Sequence, residues 1–242
     1  MKGNTMKKYE LIESNKVSPR GKPLFQVVAL RDFDSVKKGD KGGYVESEAN
    51  LSHEENCWVY GNAQVFNDAR VYGNARVGGD ALVGANALVY GDAQVFNDAR
   101  VYGSAQVYGN AQVCDNTRVG GDAQVYGNTR VFGTARVDGS AWVYGNARVG
   151  GVAWVHDNAQ VYGDAQVYGN ARVFNDARVG GDVWVASGRA FATKNDHWDI
   201  TEIDNGDGTL TLYADATFKT AELKPCHGGQ TGKFCSECGE KL

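Results

Sequence analysis

From Val59 to Val185 a valine stands at every sixth position, 22 in succession without a slip. Two residues before nearly every one stands alanine, as at Ala63, Ala69, Ala75, Ala81 and Ala87. Alanine and valine two apart point to one side of an extended strand, and the residue between them points to the other. Valine suits a pleated surface, while alanine leaves room where an interior is narrow. A pair two residues past the valine, such as Gly-Asn or Asn-Asp, bends the chain, because these residue types tolerate left-handed backbone angles. A period of six smears around a helix of 3.6 residues per turn, so the pattern predicts short strand, corner, short strand: a β-solenoid.

The number of hexads per coil follows from sorting the residue after each valine. With a period of 18, one class reads Tyr72, Tyr90, Tyr108, Tyr126, Tyr144 and Tyr162, then Gly180. Each of these is followed by glycine, from Gly73 to Gly181. A period of 12 instead mixes Tyr60 and Tyr72 with Gly84 and Phe96. Three hexads per coil therefore explain the sequence, and the predicted cross-section is a triangular prism. At an inter-strand spacing of about 4.8 Å, seven regular coils predict a rod on the order of 35 Å long.

The hexad, with an aliphatic residue and a small residue four places on (Val107 and Ala111), resembles the hexapeptide-repeat, left-handed parallel β-helix superfamily. The left hand is implied by that resemblance, since ordinary parallel crossovers are right-handed. The stretch from Leu24 through Lys41-Gly-Gly-Tyr-Val45 to Cys57-Trp58-Val59-Tyr60 narrows it. It is similar to the N-terminal module of bacterial and phage proteins labelled hexapeptide-repeat transferases. The resemblance covers roughly residues 8–188 and implies a homotrimer with parallel axes.

Four segments are expected. Residues 1–44 form an N-terminal capping module, with strand-like runs at Tyr9–Ile12 and Leu24–Arg31. Residues 45–188 form the repeat, with a two-residue insertion within Ser52–Asn56. Residues 189–218 form a C-terminal hairpin cap, whose strands flank Asp204-Asn-Gly-Asp-Gly208. Residues 219–242 form a cysteine-rich tail. Caps are needed because an open solenoid end exposes unpaired backbone and apolar side chains.

Composition changes this picture little. The 32 glycines in 242 residues are nearly twice the usual share of about 7%, yet there are only three prolines and no collagen period. With 42% hydrophobic and 22% charged residues the chain can form a core. A net charge of −4 gives no general attraction to long nucleic acid or to a membrane, and no apolar run approaches the ~18 residues of a membrane span. The N-terminus lacks an apolar leader, and five unevenly placed cysteines fit a reducing compartment, so a cytoplasmic location is expected.

Several rows carry candidate chemistry. The six tyrosines line one edge, either as a stiffening ladder or as a subunit interface or ligand platform. Arg100, Arg118, Arg136 and Arg172, interrupted by Trp154, form a second row. Like charges so close repel unless something negative lies between them. The candidates are the corner carboxylates of Asp98, Asp122 and Asp176, or a small anionic, nucleotide-like ligand stacked on Trp142 or Trp154. In the tail, Cys235-Ser-Glu-Cys238-Gly has half the spacing of a zinc knuckle, and Cys226 with His227 offers the rest of a structural zinc site. The resemblance also implies acyl transfer from an acyl-coenzyme A donor with a histidine base. Only His156, with Asp138 at the same corner one coil earlier, and His53 stand near the repeats. The unbroken repeat lacks the long loop such enzymes use. The expected function is therefore a non-catalytic, trimeric binding or scaffold protein, with the acyltransferase as the alternative.

Overall fold

The structure is a computed structural model and describes residues 7–195, 198–204 and 210–214. It is an all-β parallel solenoid of about eight turns, in which the one helix among the described residues is a 3-10 turn at Glu48–Asn50. Strands β1 (Tyr9–Ile12), β2 (Phe25–Ala29) and β3 (Lys41–Val45) precede the repeat. Twenty-two short strands follow, one per hexad, from β4 (Trp58–Val59) to β25 (Trp184–Val185). Strands β26 (Arg189–Asn195), β27 (Trp198–Asp204) and β28 (Leu210–Ala214) end the described chain.

Each solenoid strand from β4 to β22 pairs in parallel with the strand 18 residues on, as Val65 with Val83, Val71 with Val89 and Val77 with Val95. This produces three sheets, two of them of seven and eight strands and a third that runs on into both caps. The period of 18 read from the tyrosines is thus the pitch of the coil. Inward-facing valines and alanines are almost wholly shielded from solvent and fill one continuous core. Two threonines occupy alanine positions, Thr117 and Thr129, and their buried hydroxyls have no hydrogen-bond partner.

The corners explain the glycines. Gly127 has φ +78°, and a Cβ there would lie 2.7 Å from the carbonyl oxygen of Gly145 one coil further. Elsewhere a corner glycine makes room for an aromatic ring, as Gly120 does under Tyr102 and Gly84 under Phe66. Where neither constraint excludes a side chain, Asn or Asp takes the left-handed position, as at Asn97, Asp115 and Asp157.

At the N-terminal end β1 and β2 pair antiparallel, β2 pairs antiparallel with β3, and β3 lies parallel to the Gln64–Val65 strand. β3 has no counterpart among the expected runs. Its Gly42 and Gly43 cross the mouth of the solenoid so closely that a Cβ on either would meet the Val59 or Ala63 carbonyl within 2.6 Å. Val45 pairs with Val65 and Leu51 with Val71, each 20 residues apart, which locates the two extra residues between Leu51 and β4. At the other end β26 adds in parallel to the Arg172–Phe174 strand and then pairs antiparallel with β27, which pairs with β28. β26 also goes beyond the simple hairpin expected there; the turn at 205–209, with His197, lies outside the described residues. Among the described residues no helix is long and apolar enough to cross a membrane.

Candidate functional site

One solenoid face collects the arginine row. Arg100 pairs in register with Arg118, Arg118 with Arg136, Arg136 with Trp154 and Trp154 with Arg172. Because the inward positions are valine and alanine, the residue between them must point outward, and all four arginines are exposed. The Arg172 guanidinium sits over the Trp154 ring at 5.8 Å. Among the described residues no carboxylate makes an ion pair with Arg100, Arg118 or Arg136; Asp98, Asp122 and Asp176 do not neutralise the row. Three like charges in adjacent strands, about 4.8 Å apart, are left facing solvent.

The corner beside this face holds His156. Its ring stacks on Phe174 at 5.4 Å and tilts against Trp154 at 4.4 Å. Nδ1 lies 3.0 Å from Asp157 Oδ2, and the same carboxylate oxygen accepts the Asn175 backbone N–H at 3.1 Å. The Asn175 amide, and then the imidazole, hold the Asp157 carboxyl below its usual range against the opposing effect of burial. Asp138 is one coil away, and its Oδ1 accepts the Gly139 N–H at 2.8 Å. The imidazole's carboxylate neighbour is therefore Asp157, the next residue in the chain. The left-handed backbone of Asp157 (φ 59°) turns its side chain back onto the ring. With Nδ1 facing a carboxylate, Nε2 is the nitrogen left to accept a proton.

The tyrosine row occupies a different corner. Tyr72, Tyr90, Tyr108, Tyr126, Tyr144 and Tyr162 stack ring on ring, with centroids 4.8–5.2 Å apart and planes within 9°. Tyr90, Tyr108 and Tyr144 donate their hydroxyls to Gln106, Gln124 and Gln160 at 3.2–3.3 Å. Trp142 belongs to this tyrosine side, between Gln124 and Gln160, and is 40% exposed. It does not join Trp154 on the arginine face.

His53, in the inserted segment, is built into the N-terminal cap. Its ring stacks on Tyr9 at 4.1 Å, and Nδ1 accepts the Lys8 backbone N–H at 3.2 Å. Glu48 Oε2 is 4.0 Å from Nε2, and burial pushes the imidazole pKa down. Cys226, His227, Cys235 and Cys238 lie outside the described residues. Among the described residues no three His, Cys, Asp or Glu side chains gather to hold a metal ion.

The coils, with an exposed cationic row and an imidazole–carboxylate corner, define a hexapeptide-repeat β-solenoid. The comparisons agree at that level. A model of the YdcK β-solenoid repeat matches residues 63–79, 69–85, 93–109 and 165–181. The chain is similar to a curated protein of Escherichia coli (strain K12), "Uncharacterized acetyltransferase YdcK", with 34% identity over 62 residues. That stretch is 23% of this chain and 19% of the relative, so about a fifth of the relative's length is spanned.

Proposed function

We propose that the chain is a non-catalytic binding or scaffold solenoid that holds a small anionic, nucleotide-like ligand on its arginine face. The observation that carries this reading is the run of Arg100, Arg118 and Arg136, in register and, among the described residues, without a carboxylate partner. An anion lying along the row offsets the repulsion between neighbouring guanidiniums and meets them as charge-assisted hydrogen-bond acceptors. Trp154, already beneath Arg172, offers a planar surface for a base. Side-by-side packing of copies, as in the homotrimer implied by the resemblance, would wall such a row into a cleft. Calorimetric titration with ATP and with pyrophosphate tests this. The reading expects binding that weakens at least tenfold in Arg118→Ala/Arg136→Ala, and it fails if neither anion binds.

A second reading has a specific observation behind it. The His156–Asp157 pair beside the same face, with the acetyltransferase name of the relative, supports an acetyl-coenzyme A-dependent acetyltransferase. Here His156 Nε2 would take the proton of the acceptor as it attacks the thioester carbonyl, and Asp157 would steady the imidazolium. Turnover of acetyl-coenzyme A that is lost in His156→Ala would favour this reading over the first.

A further inference from the structure

The N-terminal cap contains a pairing that neither reading uses. Lys8 is fully buried, and its Nζ lies 3.3 Å from the Sγ of Cys57, which is also fully buried. Three carbonyl oxygens fix the ammonium end beside the sulfur: Cys57 at 2.9 Å, Glu54 at 3.2 Å and Glu55 at 3.4 Å. The Phe33 ring closes the far side at 5.2 Å. Lysine is almost never fully buried without a charged partner, and among the described residues no carboxylate pairs with this one. Two nucleophiles are thus held together in a dry site, 49 residues apart in the chain, at the seam between the cap and the first coil.

We infer that Lys8 and Cys57 are a covalent modification site, in which hydrogen peroxide joins Nζ to Sγ through a reversible nitrogen–sulfur bond. Peroxide first transfers one oxygen to Sγ; an S–O bond forms, the O–O bond breaks, and water leaves with the thiol proton. The Nζ lone pair then attacks the sulfur. The N–S bond forms as the S–O bond breaks, and the departing hydroxide takes a proton from the amine to leave as a second water. Sulfur is oxidised, and one peroxide is reduced to two waters. Sulfenic acids condense with nearby nitrogen in this manner when a nitrogen stands closer than a second thiol. Among the described residues the only other cysteine is Cys114, in the middle of the repeat. Burial pushes the Lys8 pKa down, which favours the free amine the second step needs. It pushes the Cys57 thiol up, so the amine 3.3 Å away serves as the base that draws off the thiol proton as the sulfur attacks peroxide. The product ties the first strand to the mouth of the solenoid and closes a loop that otherwise rests on non-covalent contacts.

The test uses the full chain. It is treated with dilute hydrogen peroxide, its free thiols are alkylated in denaturant, and the digest is read by mass spectrometry. The expected product is one peptide joining the Lys8 and Cys57 segments, lighter than their sum by two hydrogen atoms and separated again by dithiothreitol. Lys8→Arg is expected to abolish it and to leave Cys57 as sulfinic acid. The inference is overturned if the wild-type chain yields Cys57 only as alkylated thiol, or only as sulfinic or sulfonic acid beside an unmodified Lys8.

Discussion

The tyrosine corner and the arginine face arise from the same repeat and have opposite fates. In both, a period of 18 sets like upon like in adjacent strands. Tyrosine gains from this: neutral rings stack at 4.8 Å and their hydroxyls find glutamines. Arginine gains nothing from its own kind, and the corner carboxylates do not reach it. A repeat copies side chains whether or not their neighbours are good company. The tyrosine row therefore explains itself as structure, whereas the arginine row has no ion-pair partner among the described residues.

That contrast can be broken deliberately, most severely through the glycines beside the tyrosines. Gly127→Val should cost at least about 3 kcal/mol, combining left-handed strain with overpacking against the Gly145 carbonyl. Chemical denaturation reads the loss. Tyr108→Ala removes two ring contacts and a hydrogen bond, and a loss of about 2 kcal/mol is expected in the same measurement.

The arginine side should behave differently. Arg118→Ala is expected to leave stability within about 0.5 kcal/mol while weakening anion binding about tenfold, or about 1.4 kcal/mol. A matching loss of stability would show that the row is structural after all. Beneath the same face, Thr117→Val replaces an unpartnered hydroxyl with a methyl group and should gain about 1 kcal/mol.

The smallest effect is confined to the cap. Burial lowers the His53 pKa, so the folded cap binds fewer protons than the unfolded chain as pH falls below about 6.5. Its stability is therefore full above that value and declines below it. The protection factor of the Lys8 amide, which donates to His53, should fall between about pH 7 and pH 5, and His53→Gln should flatten the profile.

What the sequence made legible follows the same divide. Wherever the chain repeats, one residue type at one spacing declares its neighbour, so the coil, its three faces and both rows can be read from Val, Ala, Tyr and Arg alone. Non-repeating contacts cannot be read that way. The pairing of His156 with Asp157 depends on a left-handed corner, not on stacking over Asp138. β3 joins the cap through Gly42 and Gly43, where glycine in a strand signals close backbone approach; the expected strand runs omitted it. Lys8 and Cys57 meet across 49 residues with no periodic cue at all.

The uniform register has a further consequence for how such a chain changes length. Excising residues 110–127 would join Gly109 to Asn128 in unchanged phase, setting Tyr108 on Tyr144 and Arg100 on Arg136. Duplicating the same stretch would be equally silent to the core. In this molecule the unit of length that keeps every row in phase is a whole turn, so the rod can be lengthened or shortened without redesigning either end.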